Sequence, residues 1–216
     1  IGLQEFQAVE KLCQYLARCG FSVKKGVGGF DTAFRAEFAV GDGSGPNIGL
    51  LCEYDALEDV GHGCGHHIQG PAIVGAAVAL SRILGPEMPC RLIVYGTPAE
   101  ETLGAKIPML KSGCFQELDI ALMTHASGSG TSVDDKTLAL SQFDVVFTGK
   151  GAHAAISPDK GRSALDAMLL SFQGLEFLRE HVPDDIRIHY CIPEAVRPVN
   201  VVHSRAVGSY ALRGLS

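Results

Sequence analysis

Residues 47–84 read "NIGLLCEYDALEDVGHGCGHHIQGPAIVGAAVALSRIL" and contain the strongest signals of secondary structure in the chain. An apolar run of strand length comes first, and a loop with glycines at positions 61, 63 and 65 follows it. A long run of small apolar residues ends the stretch. The pattern predicts a buried strand, a sharply turning loop and a buried helix. Three histidines and a cysteine stand in the loop "GHGCGHH", so the loop is also a candidate metal site.

The flanking segments repeat this alternation of strand and helix. "LQEFQAVEKLCQYLARCG" has apolar residues at helical spacing and stops at Gly20. "FDTAFRAEFAV" and "RLIVYGTPAEE" are predicted strands, and "AKIPMLKSG" is a predicted short helix. "LDIALMTH" is predicted to be another buried strand that ends in His125. Alternation of this kind indicates an α/β sheet with helices on its faces.

The pattern changes near Ala139. "LALSQFDVVFTGK" is a predicted strand, and "SALDAMLLSFQGLEFLREHV" is a predicted amphipathic helix. "DIRIHYCI" and "VNVVHSRAVGSYALRG" are predicted to be further strands. One strand, one helix and two strands form a compact α+β unit. We therefore predict two domains, residues 1–138 and residues 139–216.

Composition excludes several classes of protein. The 216 residues are 46% hydrophobic and 19% charged, which is typical of a folded globular chain rather than a disordered one. The net charge is −6 and the basic residues are scattered, so no nucleic-acid surface is indicated. No apolar run reaches the ~20 residues of a membrane span. Seven cysteines without a CxxC pair argue against a disulfide framework and favour a reducing, cytoplasmic location.

Candidate metal ligands follow three of the predicted strands. In α/β sheets, ligands bind beyond the carboxyl ends of the strands, where distant residues converge. Thiolate, imidazole and carboxylate are the ligand set of zinc or a similar divalent ion. The candidates are Asp55, Cys64 and His66 after the first strand, Glu100 and Glu101 after the second, and His125 at the end of the third.

The adjacent acids Glu100 and Glu101 can take two different roles in a metal site. A metal hydrolase needs one carboxylate as ligand and another as general base for water, and Glu101 and Glu100 could take these two roles. His62 and His67 are expected to be ordinary polar loop residues rather than metal ligands. The alternative interpretation of a single structural metal ion, which stabilises the loop without taking part in catalysis, also stays open.

These motifs resemble the zinc aminoacylase/carboxypeptidase G family of metallopeptidases, in its amidohydrolase branch. That branch carries a "GHACGH" loop, here "GHGCGH", a "TPAEE" segment and a histidine at a strand end. The segments "LCEYDAL", "GTPAEE" and "TAFRAEF" are most similar to those of the β-alanyl-lysine dipeptidase group, the peptidase-family-20 domain-containing proteins. The resemblance implies a zinc-peptidase-like sheet with an inserted ferredoxin-like lid that forms a homodimer.

The resemblance also implies roles for residues at the matching positions. It implies two divalent ions, zinc or alternatively manganese, with Cys64 bridging them and His66, Glu101 and His125 as further ligands. Glu100 would be the general base, and Asp55 would hold the geometry of the ligands. In the lid, His153 would stabilise the oxyanion. Asn200 and Arg213 would hold the carboxylate of the substrate.

The chain departs from the family pattern at three points. His67 replaces an Asp or Asn, and His203 stands where the family has Pro. Family members continue beyond the position of Ser216 and supply a last metal-binding histidine, so we expect this chain to be a fragment. The expected reaction is hydrolysis of an amide bond by water in a dipeptide or N-acyl amino acid, β-alanyl-lysine-type dipeptides being the sharpest expectation. The alternative is a non-catalytic truncated relative that acts through lid-mediated dimerisation.

Overall fold

The structure is a computed structural model that describes residues 1–128, 130–133, 137–193 and 198–215. It separates into two compact units, Ile1–Thr131 and Ser132–Ser216. The helices of the first unit are α1 (Phe6–Arg18), α2 (His66–Ile83) and α3 (Lys106–Lys111). Its strands are β1 (Ser22–Lys25), β2 (Phe34–Val40), β3 (Asn47–Cys52), β4 (Cys90–Gly96) and β5 (Ile120–Leu122).

The strands of the first unit form one mixed five-stranded sheet in the order β1-β2-β4-β3-β5. Strand β3 runs parallel to both β4 and β5, whereas β2 is antiparallel to β1 and β4. Cys52 lies opposite Gly96, so β3 and β4 end at the same level. The segments that begin with Glu53 and Thr97 therefore leave the sheet side by side, as the strand-end argument requires.

Both faces of β4 are buried, which explains its nearly continuous apolar sequence. Leu92 and Val94 pack in the cluster that holds the buried faces of α1 and α2. Ile93 and Tyr95 pack in the opposite cluster with Met109 of α3. The prediction of an α/β sheet with flanking helices is confirmed.

Glycine brings α2 close to the sheet at the point where β3 ends. A Cβ at Gly70 would lie 2.6 Å from the carbonyl oxygen of Glu53, closer than real Cβ atoms approach other atoms. Gly65, with a φ of 81°, directly precedes the helix and adopts the left-handed conformation that glycine permits. The start of α2 can therefore place His66 against the end of β3.

The second unit is an α+β unit whose strands pair antiparallel. Its elements are β6 (Ala139–Thr148), β7 (Ala152–His153), α4 (Ala164–Leu178), β8 (Arg187–Cys191), β9 (Val201–Val202) and β10 (Arg205–Gly214), with 3-10 turns at Pro158–Lys160 and Arg179–His181. One sheet has the order β6-β10-β8, and β7 pairs with β9. Helix α4 packs on the larger sheet through Met168, Phe172 and Tyr210, and the Ser163 side chain caps its first turn.

Two predicted strands differ from the structure. The segment before His125 forms only Ile120–Leu122, which is exposed rather than buried, and among the described strands it pairs with β3. The predicted strand from Val199 to Gly214 is divided into β9 and β10, which belong to different sheets. Within the described part of the chain, every helix falls short of the length and apolarity needed to cross a bilayer.

Candidate metal centre

His66 is the first residue of α2 and its side chain is fully buried. Its Nδ1 lies 3.0 Å from Asp55 Oδ1 and 3.1 Å from the Asp55 carbonyl oxygen. Both oxygens are acceptors, so Nδ1 carries the proton and Nε2 carries the free electron pair. This orientation is the one that a metal-binding histidine needs.

Asp55 also positions the loop that follows β4. Its second oxygen, Oδ2, accepts a hydrogen bond of 3.0 Å from the backbone N–H of Glu101. The Asp55 side chain is fully buried, and it is hydrogen-bonded to both candidate ligands at once. It fixes the ring of His66 and the backbone of Glu101 relative to each other.

Glu53, which follows β3 directly, is a candidate ligand that the sequence reasoning missed. Its Oε2 lies 3.2 Å from His66 Nε2, and both atoms are buried without a hydrogen-bond partner in the described structure. Two electron-pair donors that face each other away from water are unfavourable unless a proton or a metal cation joins them. Ligand atoms of Glu53, His66 and His125 all lie within 4.8 Å of one another. The three residues therefore fit a divalent cation.

His125 presents its ring edge-on to His66, with the ring centroids 5.4 Å apart. Its Nδ1 lies 2.9 Å from the carbonyl oxygen of Ala126, to which the N–H donates. The Nε2 atom is thereby left with its electron pair free, as in His66. His125 is exposed, so this side of the cluster is open to a ligand from solvent.

Glu101 and Cys64 extend the cluster. Glu101 Oε1 lies 3.5 Å from His66 Nε2. The Cys64 thiol is hydrogen-bonded to the Glu101 carboxylate, which raises the pKa of the thiol to about 11. A cation at this place would favour the thiolate instead, because a coordinating thiol is deprotonated.

Glu100 is tied to the same cluster through a lysine. Its Oε2 accepts a hydrogen bond of 2.7 Å from Nζ of Lys106, and the same ammonium also pairs with Oε1 of Glu53. The Glu100 side chain is 37% exposed, so water reaches it. Ala99, with the left-handed φ of 53°, makes the turn that separates the two acids from β4.

Other predicted residues lie outside this cluster. His62 and His67 are exposed, with ring centroids 4.8 Å apart. Both line a cavity of about 590 Å³ beside His66. In the second unit, His153 is an exposed residue of β7, Asn200 is exposed just before β9, and Arg213 is exposed on β10.

The chain is similar to known amide hydrolases over almost its whole length. It is 38% identical over 232 aligned residues to a p-aminobenzoyl-glutamate hydrolase polypeptide of Escherichia coli, covering 97% of this chain and 47% of the relative. It is 37% identical over 196 residues to the Xaa-Arg dipeptidase of Mus musculus, covering 87% of this chain and 45% of the relative. The chain belongs to the M20 family of amidohydrolases. It spans about half the length of these curated relatives. No family model matches the chain.

Solved structures of the M20 type share the fold. An aminobenzoyl-glutamate utilization protein from Klebsiella pneumoniae matches all of this chain and 63% of its own, with a TM-score of 0.67 and 22% identity. The YXEP protein of Bacillus subtilis, a dinuclear metal binding peptidase from the M20 family, matches all of this chain and 60% of its own. Its TM-score is 0.69 at 19% identity. The predicted family resemblance is confirmed.

Proposed function

We propose that this chain carries the metal centre of an M20 amidohydrolase that cleaves an amide bond with water as the nucleophile. The observation that carries the proposal is the buried pair of electron-pair donors, Glu53 Oε2 and His66 Nε2, which face each other at 3.2 Å. The relatives named above are hydrolases, which does not favour the alternative of a non-catalytic chain.

The cluster would hold one or two divalent cations. His66, Glu101, His125 and Cys64 are the ligands that the sequence predicted, and Glu53 adds a further carboxylate. Nitrogen, sulfur and oxygen ligands of this kind suit zinc, with manganese as an alternative. A divalent cation bound there would polarise the amide carbonyl and make water more acidic.

The protein's own groups would then perform the proton transfer. Glu100 is the general base in this proposal, because its carboxylate is partly exposed and sits beside the ligand Glu101. It would take a proton from the attacking water and deliver it to the departing amine. Asp55 would keep the imidazole of His66 in its metal-binding orientation through the Nδ1–H hydrogen bond.

Residues of the second unit would bind the substrate. Residues 139–216 are the lid in this proposal, and residues 1–138 belong to the metal-binding domain. His153 would donate a hydrogen bond to the oxyanion of the tetrahedral intermediate. Asn200 and Arg213 would hold the substrate carboxylate, for which the planar guanidinium of arginine is well shaped.

The substrate class is an amino acid carrying an acyl or aminoacyl group on its nitrogen. The names of the relatives fit this class, since p-aminobenzoyl-glutamate and an Xaa-Arg dipeptide both carry an amide on the nitrogen of an amino acid. β-Alanyl-lysine-type dipeptides are the specific proposal, in a cytoplasmic enzyme.

A homodimer through the lid completes the proposal. Leu170 and Phe177 of α4 are 72% and 67% exposed. They are seven positions apart and so lie on one face of the helix, with Gly174 between them. Strands β6 and β8 are the edges of the three-stranded sheet. An apolar helix face beside open strand edges is the kind of surface that a second copy covers.

Elemental analysis of the purified chain tests the proposal. Two divalent ions per chain would support the complete site, and one would support a site with a single ion. A chain that binds no divalent ion would refute the proposal. His66→Gln should abolish binding, whereas the neighbouring His67→Gln should retain it, because only His66 faces Glu53. Hydrolysis of β-alanyl-lysine, an N-acetyl amino acid and p-aminobenzoyl-glutamate would then define the substrate.

A further inference from the structure

Lys106, the first residue of α3, links two carboxylates that have different tasks in the proposed site. Its ammonium pairs with Oε1 of Glu53 and donates a 2.7 Å hydrogen bond to Oε2 of Glu100. Glu53 turns its other oxygen towards His66. Lys106 therefore connects the residue that faces the metal ligands with the residue that would act on water.

The charges around the cluster give this lysine more weight than a surface ion pair. Four carboxylates, those of Glu53, Asp55, Glu100 and Glu101, are joined by hydrogen bonds and ion pairs. Among the described residues, no other lysine or arginine lies within ion-pairing distance of them. The side chain of Glu53 is 2% exposed and that of Lys106 is 22% exposed. A charge pair shielded from water in this way is coupled much more strongly than an exposed one.

We propose that Lys106 is a positioning residue that holds Glu100 in place for proton transfer and limits how tightly the cluster binds a divalent cation. This inference rests on the proposed function. The ammonium fixes one oxygen of Glu100 and leaves the other available to water. The same positive charge repels a cation in the cluster, so the lysine weakens metal binding while it supports turnover.

The opposite signs of these two effects separate a positioning role from a merely structural one. A lysine that only stabilised the fold would, on removal, weaken metal binding and turnover together. Lys106→Met should instead bind Co²⁺ about tenfold more tightly, because a positive charge close to the cation is removed. It should also lower kcat by at least about tenfold with little change in KM, because Glu100 loses its fixed orientation.

The experiment measures the dissociation constant of Co²⁺ by competition with a chelator, on the whole 216-residue chain. The absorption bands of bound Co²⁺ report the ligand set, and hydrolysis of β-alanyl-lysine is followed separately. Lys106→Arg keeps the charge and should leave the Co²⁺ affinity within about twofold of wild type. Lys111→Met removes an exposed charge from the last residue of the same helix and is the matched control. Lys106→Gln replaces Lys106→Met if that variant does not fold.

Four outcomes decide between the possibilities. Tighter Co²⁺ binding together with a lower kcat in Lys106→Met, with tighter binding in neither Lys106→Arg nor Lys111→Met, supports the proposal. Tighter binding with an unchanged kcat overturns the positioning role. Unchanged or weaker binding in Lys106→Met, with normal binding in wild type, overturns it and leaves the proposed function standing. Failure of the wild-type chain to take up Co²⁺ overturns the proposed function and this inference with it.

Discussion

Asp55→Asn tests the support of the metal centre with a change of almost no volume. Asp55 accepts a hydrogen bond from His66 Nδ1 through one oxygen and from the Glu101 backbone N–H through the other, both at 3.0 Å. Asparagine has one acceptor oxygen and one NH2 group, so it cannot accept from both donors. If its NH2 group faces His66, Nδ1 either meets another donor or loses its proton to Nε2, the atom that faces the metal site. The side chain is fully buried, and water cannot replace the lost partner.

The magnitude follows from the loss of one charged hydrogen bond. Such a bond contributes about 1.5–3 kcal/mol, which corresponds to roughly 10- to 150-fold in an equilibrium constant. Changes to groups that orient metal ligands typically cost about 10- to 100-fold in metal affinity. We therefore expect the affinity of Asp55→Asn for Zn²⁺ to fall by about 10- to 100-fold, without loss of the fold.

The assay is competition for Zn²⁺ between the protein and a chelator, combined with thermal unfolding of the metal-free protein. Asp119→Asn is the matched control, because Asp119 accepts a 2.8 Å hydrogen bond from the backbone of Asn47 at the other end of β3. It should keep the wild-type affinity. A Zn²⁺ affinity of Asp55→Asn within twofold of wild type would show that Asp55 does not orient the ligands.

Three further predictions address packing, thiol reactivity and pH. Gly70→Ala should lower the free energy of unfolding by about 1–3 kcal/mol, because its Cβ would lie 2.6 Å from the Glu53 carbonyl oxygen. Gly75→Ala is the control in the same helix, because a Cβ at Gly75 would have no neighbour within 4 Å, and it should stabilise the protein by up to about 1 kcal/mol. Similar unfolding curves for the two variants would contradict this prediction. In the metal-free protein, Glu101→Gln should speed alkylation of Cys64 at pH 8 by at least about tenfold, because hydrogen bonding to the Glu101 carboxylate helps to raise the thiol pKa to about 11. Mass spectrometry of the Cys64 peptide measures the rate of alkylation. An unchanged rate would count against the hydrogen bond between Cys64 and Glu101. Hydrogen bonding to Arg35 holds the pKa of Glu117 below its ordinary value, so the pair stabilises the fold above the ordinary carboxyl pKa and loses this contribution as the pH falls through the lowered value. Glu117→Gln should therefore lower the free energy of unfolding by less than about 1 kcal/mol at pH 7, and by a smaller amount at pH 3. Urea unfolding at the two pH values measures both changes. Equal changes at pH 7 and pH 3 would disprove the coupling.

The main elements of the fold can be predicted because each carries a local signal. The apolar spacing before Gly20 predicts α1, and the nearly unbroken apolar run "RLIVYG" predicts a buried strand. The exposure of β5 has no local signal, since "IAL" reads as a buried strand wherever it lies. In the described part of the chain β5 lies at the edge of the sheet, where Ile120 and Leu122 are about half exposed.

The candidate site was predictable where ligands follow strand ends, and not where the chemistry depends on distant pairs. His66, Glu101 and His125 follow from the strand-end argument, and the structure brings them together. Glu53 lies two positions before Asp55, so either acid could have taken the single role that the sequence suggested for this segment. What distinguishes Glu53 is its burial beside His66 and its contact with Lys106 of α3, and neither is visible in a local pattern.

The spread of the candidate ligands along the chain has a thermodynamic consequence. Glu53, His66, Glu101 and His125 come from the end of β3, the start of α2, the loop after β4 and the segment after β5. An ion that binds all four would hold together nearly every part of the first unit that surrounds the sheet edge. Because such an ion binds only the folded chain, its free concentration would set the folded fraction, adding about 2.7 kcal/mol at a hundred times the dissociation constant. The concentration of free metal would then contribute to the stability of the first unit as well as to the occupancy of the site.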